Sequence, residues 1–428
     1  MTQTSTAHLP VAKSPEAPQA QDPRVIAARA RLDRLETFLR EDPQNNAMLI
    51  DAFQTALSCG EWEHAEFHLK HAQSLQSDAL AWRLREGDLL LAQQRFDEAA
   101  SVLEALAATP NPPTGLLEVV LHNLAYVELR RGNPSGCIAR LESIMDALAA
   151  GPGPDQAGSG KLPAEARALQ QLWLRALHHE LQLDRAMAWT HAASRQGRLD
   201  PQAAGIASLI AIDASDFQAA EQWSTLATTR GNVQEQSAEA FVAQASLALA
   251  ARDAMRALQL ADAALERHPG DGRAWSTRGF AALLANDAPA AIASFKRALT
   301  VMGQHVGTWH GLGWAQILQG DLAAAKASFE TALELDRNFG ESHGGLAVVL
   351  ALQSQREEAL VHTELALRLD NANASGRYAQ ALLSGEVNSA ADLQRLARRL
   401  LGGRPAPLGG DMADMLPEQD APGHDAQP

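Results

Sequence analysis

The stretch from Val306 to Phe339 reads VGTWHGLGWAQILQGDLAAAKASFETALELDRNF. Gly320-Asp321 divides it into two helix-length halves: glycine ends one helix in the left-handed conformation and aspartate caps the next. Gly313 and Ala325 are small where two antiparallel helices must approach closely, and the large Trp309 and Phe329 fill the wedge beside them. The same unit recurs on either side with a period of 34 residues. Trp275, Trp309 and His343 share one slot, and Phe295, Phe329 and Thr363 share another. Gly279, Gly313 and Ala347 form a third column, and Leu283, Ile317 and Ala351 a fourth.

Carried outward, the register gives windows starting at Asn46, Leu80, Glu118, Arg167, Pro201, Ala238, Gly272, Val306 and Gly340. One column then reads Ala65, Ala99, Cys137, Ala186, Ala220, Ala257, Ala291, Ala325 and Ala359. A second reads Ala72, Leu106, Ile144, Ala193, Ala227, Ala264, Ala298, Ala332 and Ala366. With its Trp309, Leu312-Gly313, Gly320-Asp321, Ala325, Phe329, Ala332 and Leu335-Asp336, the central window resembles the tetratricopeptide repeat family, whose unit is a helix–turn–helix of 34 residues. The resemblance spans about residues 46–373 and is strongest from Ala238 onward. Phe53 and Leu174 depart from it where a small residue is the rule, and Glu86 departs where leucine is. It implies an all-α, right-handed superhelical solenoid of about nine repeats, stabilised by nearest-neighbour stacking.

The organisation follows. Residues 1–23, with four prolines among Ala, Gln and Ser, are expected to form a disordered tail. Residues 24–150 hold an amphipathic capping helix, closed by Asp42-Pro43, and three degenerate repeats. Residues 151–163, GPGPDQAGSGKLP, read as a linker, residues 164–373 as six repeats, and residues 374–401 as C-terminal capping helices. Residues 402–428 read as a disordered acidic tail.

Composition narrows the function. The 428 residues carry 36 Lys+Arg against 51 Asp+Glu, a formal charge of −15, which speaks against wrapping nucleic acid. Two cysteines cannot build a disulfide framework, no apolar run is long enough for a membrane span, and the N-terminus lacks the apolar stretch of a secretory signal. A cytoplasmic protein is expected, and the Ala/Leu/Arg-rich composition suggests a bacterial one. His64, His68 and His71 lie on one helical face at i, i+4 and i+7, a metal-ligand spacing with no fourth ligand, and are expected on a solvated face. His178-His179-Glu180 lacks the spacing of a zinc protease helix, and Gly158–Lys161 lacks the first glycine and final Ser/Thr of a phosphate loop. Cys59 and Cys137 read as small packing residues. With helical pairing consuming the chain, the reading is a non-enzyme with no metal, cofactor or catalytic residues.

The family resemblance implies that the first helix of each unit lines a concave groove. Its slots hold Arg273, Ser276, Phe280 and Leu283, then His310, Trp314 and Ile317, then Glu341, Gly344, Val348 and Ala351. Earlier windows offer Leu209, Ile212, Val242 and Leu249. Phe280, Trp314 and Val348 occupy one slot in consecutive units and form an apolar stripe suited to a partner protein or peptide. Arg273 is the one cation among these slots, so a clamp for a C-terminal carboxylate is not expected. The leading reading is a protein–protein interaction scaffold or adaptor of unstated oligomeric state. The alternatives are an accessory subunit or chaperone of a bacterial secretion or envelope-biosynthesis assembly, and a peptide-responsive regulator.

Overall fold

The computed structural model describes residues 23–75, 79–113, 115–150, 164–229 and 236–387, with residues 392, 395, 396 and 399. The expected tails (apart from Pro23), the 151–163 linker and most of the second C-terminal helix lie outside the described residues. Twenty helices and no strands occur among the described residues. They run α1 (Pro23–Glu41), α2 (Asn46–Cys59), α3 (Trp62–Ser74), α4 (Ala79–Ala92), α5 (Phe96–Ala107), α6 (Leu116–Arg130) and α7 (Pro134–Ala150). Next come α8 (Ala164–His179), α9 (Leu183–Arg195), α10 (Pro201–Asp213), α11 (Phe217–Thr229), α12 (Ala238–Ala250), α13 (Ala254–Arg267) and α14 (Gly272–Leu284). The last are α15 (Ala288–Leu299), α16 (Val306–Gln319), α17 (Leu322–Leu335), α18 (Gly340–Leu352), α19 (Arg356–Leu369) and α20 (Ala374–Ser384). The chain divides into two compact units, one within residues 10–203 and one from residue 204 onward.

The windows read from the sequence fall on these helices. Six start on the first residue of a helix, and those at Leu80, Glu118 and Arg167 start one to three residues inside α4, α6 and α8. Helices pair as hairpins, α2 with α3, α4 with α5, α6 with α7 and α8 with α9 in the first unit. In the second unit α12 pairs with α13, α14 with α15, α16 with α17 and α18 with α19.

Helix crossings explain the small residues. Every member of the Ala65–Ala359 column is completely buried, Cys137 included. At the glycine column the reason is steric: a Cβ on Gly279 would lie 2.6 Å from the Phe295 ring, one on Gly313 2.7 Å from the Phe329 ring, and one on Gly87 3.0 Å from Leu103. Bulk on one helix of the hairpin thus requires its absence on the other. Phe53 and Leu174 break the column without opening it, since both are buried. Phe53 packs edge-on against Trp82 at 5.9 Å, and Leu174 shares its window with the smaller Thr190 in the facing slot. Ile144 is a true exception. It is 38% exposed while Met145 is buried in its place, because the apolar stripe of α7 steps from Cys137 through Leu141 to Met145.

Two polar devices recur with the same period. The indole N–H of Trp275 donates to the Pro269 carbonyl and that of Trp309 to the Gly303 carbonyl, both at 2.8 Å. His343 performs the same task with Nε2, 3.0 Å from the Arg337 carbonyl, so the histidine is a working substitute in the tryptophan column. Its Nδ1 lies 3.0 Å from Nδ1 of His362 on the paired helix. The second device is the hairpin turn. Gly60, Gln94, Gly132, Leu181, Ser215, Arg252, Asn286, Gly320 and Ser354 hold one slot in successive hairpins, and all have positive φ. A capping side chain follows in most of the second unit: Asp216, Asp253, Asp287 and Asp321 each accept a backbone N–H three residues on, at 2.9–3.0 Å.

Two substitutions test this architecture. Ala325→Leu places bulk at a closed crossing and should lower stability by about 1–3 kcal/mol, read as a drop in the thermal midpoint. Leu181→Gly should instead raise the midpoint, by about 0.5–1 kcal/mol, because relief of left-handed strain outweighs the added freedom of the unfolded chain. Leu181 is 44% exposed, so little packing is lost.

Candidate functional site

The groove residues read from the sequence lie together on α14, α16 and α18, but tertiary packing has used several of them. Arg273 is locked to Asp213, its Nη1 and Nη2 donating to the two carboxylate oxygens at 3.0 and 2.8 Å. Burial would pull that guanidinium down, yet the Asp213 charge holds it above its ordinary range. His310 is pushed down to about 4 by burial and is neutral at pH 7. Its Nε2 accepts the Trp314 indole N–H at 3.1 Å, and Nδ1 lies 3.3 Å from the Ser342 hydroxyl. The bond from Trp314 fixes the tautomer with the proton on Nδ1. Ser276 is also taken, 3.0 Å from the Thr308 hydroxyl.

The apolar stripe is partly core. Val348 is completely buried, packed with Ala347 and Ala379 under Tyr378 and Leu382 of α20, so its expected place on an open groove is corrected. The cause is a close helix crossing: a Cβ on Gly344 would lie 2.5 Å from Ser375 Cβ and 2.6 Å from the Gly376 nitrogen, so α20 settles directly onto α18. Leu209 and Val242 are likewise core residues of one cluster with Ala264 and Ala274. Phe280, Leu283, Trp314 and Ile317 remain half-buried. Phe280 packs edge-on against Phe295 at 4.9 Å, and Trp314 against Phe329 at 6.2 Å.

Sequence reading missed the most exposed apolar residues of this face. Leu284, Leu318 and Leu352 share one slot, four residues beyond Phe280, Trp314 and Val348 and therefore on the same side of each helix. Leu318 is 54% exposed and Leu352 44%, while Leu284 is half-buried. Their period was available in the sequence. The Gly320-Asp321 turn likewise places Leu318 in the last turn of its helix.

In the first unit the three histidines of α3 do not face solvent as a set. His68 is 2% exposed, and His64 and His68 both reach Glu36 of α1, with Nδ1 and Nε2 at 2.6 and 3.1 Å from its Oε1. His71 Nε2 donates to the Pro43 carbonyl at 2.8 Å. The i, i+4, i+7 face thus fastens α3 to α1 and the turn after it, beside a cavity of about 460 Å³ walled by Leu39, Pro43, Leu49 and Phe67. Among the described residues no group of three or more His, Cys, Asp or Glu side chains is arranged to hold a metal ion. Both cysteines are buried thiols, and burial pushes Cys137 up to about 12. Among the described residues no helix is long and apolar enough to cross a membrane.

The Glu36 cluster has a pH signature. Burial raises the Glu36 carboxyl, but the hydrogen bonds from His64 and His68 more than offset it and leave it below 4.5. The hydrogen bond to Glu36 holds His64 above 6.5, whereas burial holds His68 below it. The Glu36 contribution is present above its unfolded value and is lost as pH falls through its folded one. The His64 contribution is present below 6.5 and is lost as pH rises through its folded value. Glu36→Gln should therefore cost most stability between about pH 4.5 and 6.5, with thermal midpoints of variant and parent converging on either side.

The family model for the tetratricopeptide repeat matches residues 306–339. No curated protein matches the chain. Among solved structures, a tetratricopeptide repeat protein from Parabacteroides merdae is 14% identical, with 64% of this chain and 100% of that chain covered at a TM-score of 0.43. A thermophilic TPR protein of Thermus thermophilus is 19% identical, with 43% and 100% covered at 0.37. YrrB, described as a TPR protein with an unusual peptide-binding site, is 16% identical, with 46% and 98% covered at 0.35. Within the chain itself, the matched unit shares its period, its buried alanine column and its left-handed turn slot with the hairpins before and after it. The chain thus contains a tetratricopeptide repeat at residues 306–339.

Proposed function

We propose that this chain is a non-catalytic interaction scaffold that holds an apolar segment of a partner protein along α14, α16 and α18. Repeat arrays of this kind generally present extended surfaces to other proteins. The observation that carries the reading is the apolar face itself: Phe280, Trp314, Ile317 and Leu318 keep accessible surface on α14 and α16, although Trp314 and Ile317 also pack against the cluster that α20 closes. The polar groups beside them favour an apolar ligand over a charged chain end. Arg273 is spent on Asp213, and His310 is neutral and occupied by Trp314. The tryptophan accordingly offers a partner its ring rather than its N–H.

Panning a random peptide library on the full-length protein tests the reading. Leucine-, isoleucine- and phenylalanine-rich sequences should be enriched, and Trp314→Ala should weaken them by at least about tenfold, the scale of a buried aromatic anchor. Because Trp314 also packs on Phe329, its variant should be compared with Ile317→Ser, and circular dichroism should show both still folded. Enriched peptides that bind both variants as well as the parent, or only through a free C-terminal carboxylate, would reject it.

A further inference from the structure

We infer that the partner segment is a basic amphipathic helix, docked with its apolar face on the exposed leucine ridge of α16 and α18. The inference rests on the groove reading above and specifies the chemistry of its ligand.

The ridge is Leu284, Leu318 and Leu352, at the last turn of three consecutive first helices. Leu318 and Leu352 are the most exposed apolar residues of these helices, and neither belongs to the buried clusters beneath them. Each is backed by a half-buried or buried residue one turn earlier, Trp314 and Val348, so the ridge stands on a rigid floor. Packed helices lie about 8–10 Å apart, which matches the rise of about 10 Å over seven residues of a helix laid across them. A ligand helix with apolar residues at i, i+3 or i+4, and i+7 would therefore meet Leu318 and Leu352 with its residues i and i+7, about two turns apart.

Charge selects the rest of the ligand. Three residues beyond Leu284 and Leu318 stand Asp287 and Asp321, both exposed, each using Oδ1 to cap the following helix. The cap occupies one oxygen and leaves the carboxylate its charge and a second acceptor. No lysine or arginine occurs from Ala285 to Phe295 or from Gln319 to Ala325 to neutralise these caps along the chain. At the last unit Gln355 takes the cap slot and Glu357 follows it, while Arg356 donates to the Leu383 carbonyl at 2.7 Å. Acid thus flanks the ridge beside Leu284 and Leu318, while beside Leu352 the charge of Arg356 stands next to Glu357 and Glu358; a helix with lysine or arginine beside the part of its apolar stripe that meets Leu318 complements the ridge on both counts.

The test uses the full-length protein and three synthetic helices of about 18 residues with one leucine stripe, flanked by lysine, glutamine or glutamate. Fluorescence anisotropy at low salt should show the lysine helix binding at least about tenfold more tightly than the glutamate helix, with the advantage shrinking as salt rises. Asp287→Asn with Asp321→Asn keeps the helix caps, since asparagine caps as well as aspartate, and should weaken the lysine helix by about fivefold while sparing the glutamine helix. Leu318→Glu with Leu352→Glu should abolish binding of the lysine helix. Equal binding of lysine and glutamate helices, or unchanged binding by the leucine double variant, would overturn the inference. If the glutamine helix binds and is lost with Trp314→Ala while flanking charge has no effect, the groove reading stands and the basic helix falls. If none of the three binds, both fall.

Discussion

The closest approach of two helices sets the rest of the structure. Within each hairpin the helices meet at residues too small to hold them apart, and each second helix buries its alanine, or Cys137, without remainder. That contact is short-ranged and unforgiving: beside Gly313 a single methyl would enter the Phe329 ring. Once hairpins close this tightly, their large side chains have no room inside and must fill the wedge towards the next hairpin. Stacking is therefore a consequence of closure rather than a separate design, and stability is shared between neighbours.

Hairpin closure also dictates the turn. The chain must reverse in the same few residues each time, and one of those residues always takes a left-handed backbone. Glycine accepts that conformation freely, yet six of the nine positions in the described hairpins carry a side chain, Leu181 and Arg252 among them. The fold imposes the geometry and the sequence tolerates it at a cost of about 1 kcal/mol at each such turn. The same logic governs the tryptophan column, where what recurs is a ring N–H directed at a loop carbonyl. A histidine meets the requirement at position 343.

The binding face is what this packing leaves over. Residues at the middle of the first helices are drawn into contacts with the next hairpin or, for Val348, with α20. Leu318 and Leu352 at the last turn escape those contacts, whereas Leu284 in the same slot is half-buried. Exposure therefore rises from Val348 through Trp314 to Leu318, although all three read alike as apolar. Polar groups follow a parallel course. Arg273, His310 and the three histidines of α3 are each matched to an internal partner, which converts apparent ligands into fasteners.

The amino-acid sequence alone determined the helical class, the 34-residue period, the start of six of the first helices and the identity of the buried small column. Those features depend on local steric rules that repeat, and repetition makes them legible. It also determined that Phe280 and Trp314 share a face. Tertiary structure alone decided which apolar residues of that face stay accessible and which titratable groups are spoken for. It buried Val348 beneath α20, joined Arg273 to Asp213 across sixty positions of chain, and set Glu36 between two histidines of another helix. Such pairings bring together residues with no periodic relation to one another, so no column of the repeat could carry them. They follow from which surfaces the stacked hairpins press together.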